Sequence, residues 1–232
     1  MVNSEMEMRI RGILDRIAAA ARRSGRRAED VRLLAVSKTK PVELVVEAAK
    51  TGLVRHFGEN RVQECQVKIP AFPAHMAPVC WHLIGHLQRN KARKAVDLVD
   101  VVESVDSLEI AAALERLCAE KQKKLEVLVE VNSSAEAAKT GLPADQVPAL
   151  AEYLREKCPH LDFKGLMTIG PLGGDEKAVR KAFAATRELR DRLRVAPDDL
   201  PCLSMGMSGD FEQAVEEGST EVRVGTAIFG QR

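Results

Sequence analysis

The stretch LLAVSKTKPVEL, residues 33–44, carries the pattern on which the fold depends. Its first half is apolar and partly β-branched, as in a strand buried on both faces, and it runs out at Lys38 and Lys40. Pro41 then opens PVELVVEAAKTG, whose apolar residues recur with helical period. A strand, a short turn and a helix make one βα unit.

That unit repeats along the chain. RLLAVSKT, RHFGEN, CWHLIG, VDVVES, LEVLVEVN, FKGLMTIG, PCLSMG and TEVRVG are eight strand-like runs. Between them lie amphipathic stretches such as SLEIAAALERLCAEKQ, DQVPALAEYLREKC and EKAVRKAFAATRELRDRLR, each long enough to cross back over a sheet. Eight such units in 232 residues, after an N-terminal helix, predict an α/β protein made of a single (β/α)8 TIM barrel over residues 1–232. An open doubly wound sheet fits less well, since no GxGxxG or Walker motif is present. The connections IGHLQRNK and IGPLGGDEKAV read as the most loop-like.

Composition narrows the function classes. The 35 basic and 34 acidic side chains leave a formal charge of +1, with no electrostatic footprint for nucleic acid or an anionic membrane. Aromatics, at 3%, offer few platforms for base stacking. The five cysteines are scattered and lack CxxC spacing, which suits reduced thiols. No signal-like or membrane-spanning run is seen, so a cytoplasmic protein is expected.

In a barrel of this kind chemistry sits at the C-terminal ends of the strands. Lys38 ends the first run on the same face as Leu34 and Val36, whereas Lys40, next to Pro41, falls in the solvated loop. A partly desolvated amine near another cation has a lowered pKa and can attack an aldehyde to form a Schiff base. Lys164, early in its strand, belongs to the opposite end. Ser204, Gly206 and Ser208 share one face of the seventh run, and Gly225 and Thr226 follow the eighth. Loops after strands seven and eight are the recurrent phosphate site of the fold, although the same residues would also serve as turn glycines and helix caps. Arg223, inside EVRVG, points the same way as Gly225 and needs a ligand or a carboxylate partner. Asn60 ends the second run. Cys80, His82 and His86 have zinc-ligand chemistry in a C-x-H-x3-H spacing, but the run lies on a strand and its turn with no evident fourth ligand, and His82 reads as a hydrogen-bonded interior histidine.

A reactive lysine, a phosphate cradle and an arginine on the last strand together suggest pyridoxal 5′-phosphate. AVSKTKP, FGENRVQE, WHLIGHLQRNK, GLMTIG and LSMGMSGDFEQAVEEGSTEVRVGTAIFG closely resemble the pyridoxal phosphate homeostasis protein family, barrels similar to the N-terminal domain of alanine racemase. The resemblance covers nearly the whole chain and departs mainly in helices and in NSSAEAAKTG. It implies that Lys38 holds the cofactor as a Schiff base, that Arg223 faces the pyridine nitrogen, that Ser204, Ser208, Gly225 and Thr226 surround the phosphate, and that Asn60 lies near the ring. It also implies a monomeric cofactor carrier acting in vitamin B6 homeostasis, with apo-enzymes as recipients and no established turnover. An arginine can only donate to the ring nitrogen and leaves it a weak electron sink. Racemisation needs an acid/base on each face of the α-carbon. The single tyrosine, Tyr153, lies in a helical stretch where packing is its expected role. A weak amino-acid racemase is the competing reading, and a Schiff-base aldolase acting on a sugar phosphate is a third.

Overall fold

The computed structural model describes residues 4–133, 140–171 and 173–231. Its strands are β1 (Arg32–Val36), β2 (His56–Glu59), β3 (Cys80–Leu83), β4 (Val101–Val105), β5 (Leu125–Asn132), β6 (Leu142–Pro143), β7 (Leu161–Thr168), β8 (Cys202–Ser204) and β9 (Glu221–Val224). The helices are α1 (Ser4–Arg23), α2 (Val42–Lys50), α3 (Val62–Ala71), α4 (Ala92–Leu98), α5 (Leu108–Lys121), α6 (Val147–Lys157), α7 (Glu176–Leu193), α8 (Phe211–Glu216) and α9 (Thr226–Phe229).

All the strand pairings are parallel, and β4 pairs with β5 to close the ring β1-β2-β3-β4-β5-β7-β8-β9. This is the (β/α)8 barrel expected from the repeat, with each of the eight runs supplying one barrel strand. The two-residue β6 is an addition that pairs with the end of β5 and leaves no period to detect. Of the two loop-like connections, the second includes Leu172, which lies outside the described residues, as does most of NSSAEAAKTG.

Strand alternation builds two different interiors. In β5, Leu125, Val127, Val129 and Val131 face the helices and join one apolar cluster, while Glu126, Leu128 and Glu130 take the other parity. In β9, Val222 and Val224 join the second cluster, and Glu221 and Arg223 face the bore. The layer between strands and helices is therefore the apolar core, and the bore is unusually polar. Among the described residues no helix is long and apolar enough to cross a membrane.

Helix starts follow local chemistry. The Asp175 carboxylate accepts a hydrogen bond from the Ala178 amide at 2.8 Å to begin α7, and Pro41 stands just before α2. Outside the barrel, α1 lays Ile10, Ile13 and Ile17 into the cluster that contains Phe211, Ile228 and Phe229.

Candidate functional site

A cavity of about 400 Å³ opens at the C-terminal ends of the strands, and its wall includes Lys38, Asn60, Ser208, Arg223, Gly225 and Thr226. Six of the seven residues singled out from sequence thus meet in one place. They come from the ends of β1, β2, β8 and β9, which the barrel sets around a common axis.

Lys38 is displayed on a turn rather than on the strand itself. β1 ends at Val36, and the Lys40 amide donates to the Ser37 carbonyl at 3.0 Å, folding the chain away from the sheet through Thr39. Thr39 has φ +64°, a conformation that a β-branched residue adopts only when its surroundings compel it. Those surroundings come from β2 and α3. The Glu64 carboxylate accepts from the Thr39 amide at 2.6 Å, the Ser37 hydroxyl donates to Glu59 at 2.6 Å, and the buried Lys68 ammonium donates to the Ser37 carbonyl at 2.7 Å. Lys68 also meets Glu59 at 2.7 Å and Glu64 at 3.0 Å, so one ammonium binds the turn to both carboxylates. Burial drives the Glu59 carboxyl up to about 7, against the opposing pull of Lys68 and Ser37. Lys40 also borders the cavity, and its ammonium donates to the Gln231 carbonyl at 2.7 Å, beside Gly230 in the cavity wall.

Arg223 is 4% exposed and spends three of its five N–H donors within the barrel, on the Ser204 carbonyl at 2.6 Å, the Ser204 hydroxyl at 2.7 Å and the Thr168 carbonyl at 2.7 Å. Ser204 is fully buried one layer below the mouth and does not border the cavity. Its hydroxyl donates to Glu103 at 2.6 Å, and Glu103 in turn meets His82 Nδ1 at 2.7 Å. Burial disfavours charge on His82, but the hydrogen bonds to Cys80 and Glu103 outweigh it and push its pKa up to about 10. Burial would likewise raise Glu103, yet its bond to His82, with the charges of His82 and Arg223, holds it below the ordinary carboxylate range. Glu103 thus pairs directly with His82 and reaches Arg223 only through the Ser204 hydroxyl.

The rim after β8 and β9 is built for close approach. At Gly225 a Cβ would stand 2.9 Å from the Val36 carbonyl oxygen, so glycine alone lets the backbone come that near β1. At Gly206, with φ +92°, a Cβ would meet Ala214 at 2.6 Å. The first amides of a helical turn have no acceptor within the turn and point outward, and Thr226 begins such a turn at the cavity.

Sequence reading missed Glu130 and Thr140, which also line the cavity, as does His86, singled out from sequence only within the C-x-H-x3-H spacing. The Glu130 Oε1 accepts from the Thr140 hydroxyl at 2.6 Å, whereas its buried Oε2 has no hydrogen-bond partner among the described residues. Burial raises the Glu130 carboxyl above its usual range. A glutamate on the bore parity of β5 was the available signal. His86 pairs with Asp106 at 3.0 Å at this end of the barrel, apart from Cys80 and His82. Lys164 is at the opposite end, paired with Asp162 at 2.6 Å, and Tyr153 packs against the apolar cluster outside the barrel.

The family model for the alanine racemase N-terminal domain matches residues 13–232. A pyridoxal phosphate homeostasis protein from Vibrio cholerae is 42% identical over 229 residues, 98% of this chain and 96% of that one. The chain belongs to the pyridoxal phosphate homeostasis protein family. A solved structure, PipY of Synechococcus elongatus with PLP bound, matches with a TM-score of 0.81 at 38% identity, covering 94% of this chain and 100% of that one. Alanine racemase of Clostridium difficile shares the fold alone, with a TM-score of 0.75 at 16% identity over 96% of this chain and 56% of its own. The relatives are named for homeostasis, and this homeostasis-family chain matches the barrel half of the racemase.

Proposed function

We propose that residues 1–232 act as one domain that holds pyridoxal 5′-phosphate in the C-terminal cavity and serves as a carrier in vitamin B6 homeostasis. The observation that carries the reading is the convergence of Lys38, Asn60, Ser208, Arg223, Gly225 and Thr226 on a single cavity of about 400 Å³, within the range of roughly 300–1,000 Å³ of small-molecule sites. The donor set suits the ligand. Lys38 offers a primary amine on a pinned turn, the amides and hydroxyls of Ser208, Gly225 and Thr226 suit a phosphate, and Arg223 keeps donors in hand for an unprotonated ring nitrogen. The unpartnered Glu130 Oε2 suits a hydrogen-bond donor on the ligand.

When bound, the cofactor supplies an aldehyde that condenses with an amine. The protein's part is to hold that amine still. Glu59, Glu64 and Lys68 fix the turn beneath Lys38, and Ser204 fixes Arg223 from below rather than touching the phosphate. With a permanently protonated donor at the ring nitrogen, the ring stays a poor electron sink, which favours storage and transfer to apo-enzymes over turnover.

Borohydride reduction followed by peptide mapping tests the site. The pyridoxyl adduct is expected on the peptide spanning residues 33–44, and Lys38→Ala is expected to abolish it while leaving the circular dichroism spectrum intact. An adduct on any other lysine overturns the assignment. Lys38-dependent exchange of the α-deuterium of several amino acids would replace the carrier by a weak racemase.

A further inference from the structure

The opposite end of the bore carries a second constellation. Here β2 and β3 lie in register with His56 opposite Cys80 and Gly58 opposite His82, so a ligand that the linear sequence kept 24 residues away from Cys80 comes alongside it. His56 Nδ1 stands 3.0 Å from His82 Nε2, and Cys80 Sγ stands 3.4 Å from the same nitrogen. The three ligand atoms lie within 4.8 Å of one another. The imidazole rings meet edge to face, 5.2 Å between centroids at 71°.

We propose that His56, Cys80 and His82 form a binding site for a divalent zinc-type cation. Tetrahedral coordination with Zn–N of about 2.0–2.1 Å and Zn–S of about 2.3 Å places neighbouring ligand atoms roughly 3.3–3.6 Å apart, and the two spacings to His82 Nε2 need to open by only a few tenths of an ångström, with His56 Nδ1 and Cys80 Sγ within 4.8 Å of each other. His82 is already oriented as a ligand: its far nitrogen, Nδ1, lies 2.7 Å from Glu103, the carboxylate–histidine arrangement that fixes the ring and raises its basicity. A separate observation also points to a ligand. Glu221 is 1% exposed, and its Oε1 has no hydrogen-bond partner among the described residues. Its Oε2 meets Arg32 at 3.3 Å, and Glu221, Glu103 and His82 offer ligand atoms within 4.8 Å of one another, so the unpartnered oxygen belongs to a carboxylate that lies beside His82. His82 and Glu221 both border a cavity of about 410 Å³ at this end, which gives the cation a way in. Two nitrogens and one thiolate select zinc over magnesium or calcium. On binding, the cation displaces the proton of the Cys80 thiol and the one held between His82 Nε2 and His56 Nδ1, and both leave to solvent.

The test is titration of the full chain with Co²⁺, followed by Zn²⁺. One equivalent of Co²⁺ is expected to give tetrahedral d–d bands with a thiolate charge-transfer band, both erased by Zn²⁺. Cys80→Ser should remove the charge-transfer band and His56→Ala should weaken binding, and Glu103→Gln should weaken it by about 10–100-fold. Pyridoxal phosphate loading should be unchanged in Cys80→Ser, and Co²⁺ binding unchanged in Lys38→Ala, so each site stands or falls separately. Absence of tetrahedral bands, or a charge-transfer band that survives Cys80→Ser but vanishes in Cys202→Ser, overturns the proposal.

Discussion

At the scale of single residues, Ser204 shows how far strand alternation reaches. Parity puts it on the bore face with Arg223, as expected, but parity does not report depth, and the structure sets it one layer beneath the mouth. Its hydroxyl joins Glu103 to Arg223. Ser204→Ala should therefore lower stability by about 1–3 kcal/mol, the cost of leaving buried partners unsatisfied, read as a lower urea midpoint. It should also shift the visible spectrum of the loaded protein by loosening Arg223. A weakened affinity with an unchanged spectrum would instead put Ser204 on the phosphate. Lys38, Ser208, Gly225 and Thr226 were legible because amines, hydroxyls and glycines at strand ends are out of place in a core. Glu130 was hidden because a glutamate in an alternating strand looks like a solvated face.

At the scale of elements, the turn after β1 depends on α3. The Glu64–Lys68 spacing of four residues is readable as a helical pair, but the reach of Lys68 to Ser37 and Glu59 exists only once α3 is docked, so the sequence alone offered no sign that this lysine is buried. Glu59 titrates near 7 in the folded chain against about 4.5 unfolded. The folded state binds the proton more tightly, so its contribution is fully present below pH 4.5 and is lost as the pH rises through 7. The loss is on the order of 3 kcal/mol by linkage. Glu59→Gln should flatten the fall in melting temperature between pH 5 and 8, and parallel curves for the two proteins would show that Lys68 keeps Glu59 ionised.

At the scale of the whole molecule, the eight-fold repeat was legible because every strand is covered by helices and every helix has an apolar stripe. What closes the barrel against α1 is less visible. Exposed ion pairs join α1 to α8 through Arg16, Arg23, Glu212 and Glu216, and solvent screening leaves such pairs little net contribution. The buried isoleucines do more. Ile17→Ala should cost about 2–5 kcal/mol, whereas Arg23→Ala should leave the midpoint of chemical denaturation nearly where it was, because water and salt screen its pairs. Equal losses would mean that charge, not packing, seats the helix.

The tie between the Lys40 ammonium and the Gln231 carbonyl brings the last described residue to the rim of the C-terminal cavity. A fluorophore attached through Gln231→Cys would therefore sit within energy-transfer range of a chromophore in that cavity. Burial pushes the thiols of Cys118 and Cys158 up to about 11, that of Cys65 to about 12 and that of Cys202 well above its ordinary value, leaving all four sluggish toward alkylation. In a Cys80→Ser background the label would find position 231, and quenching of its emission would follow vitamer uptake and hand-over as they happen.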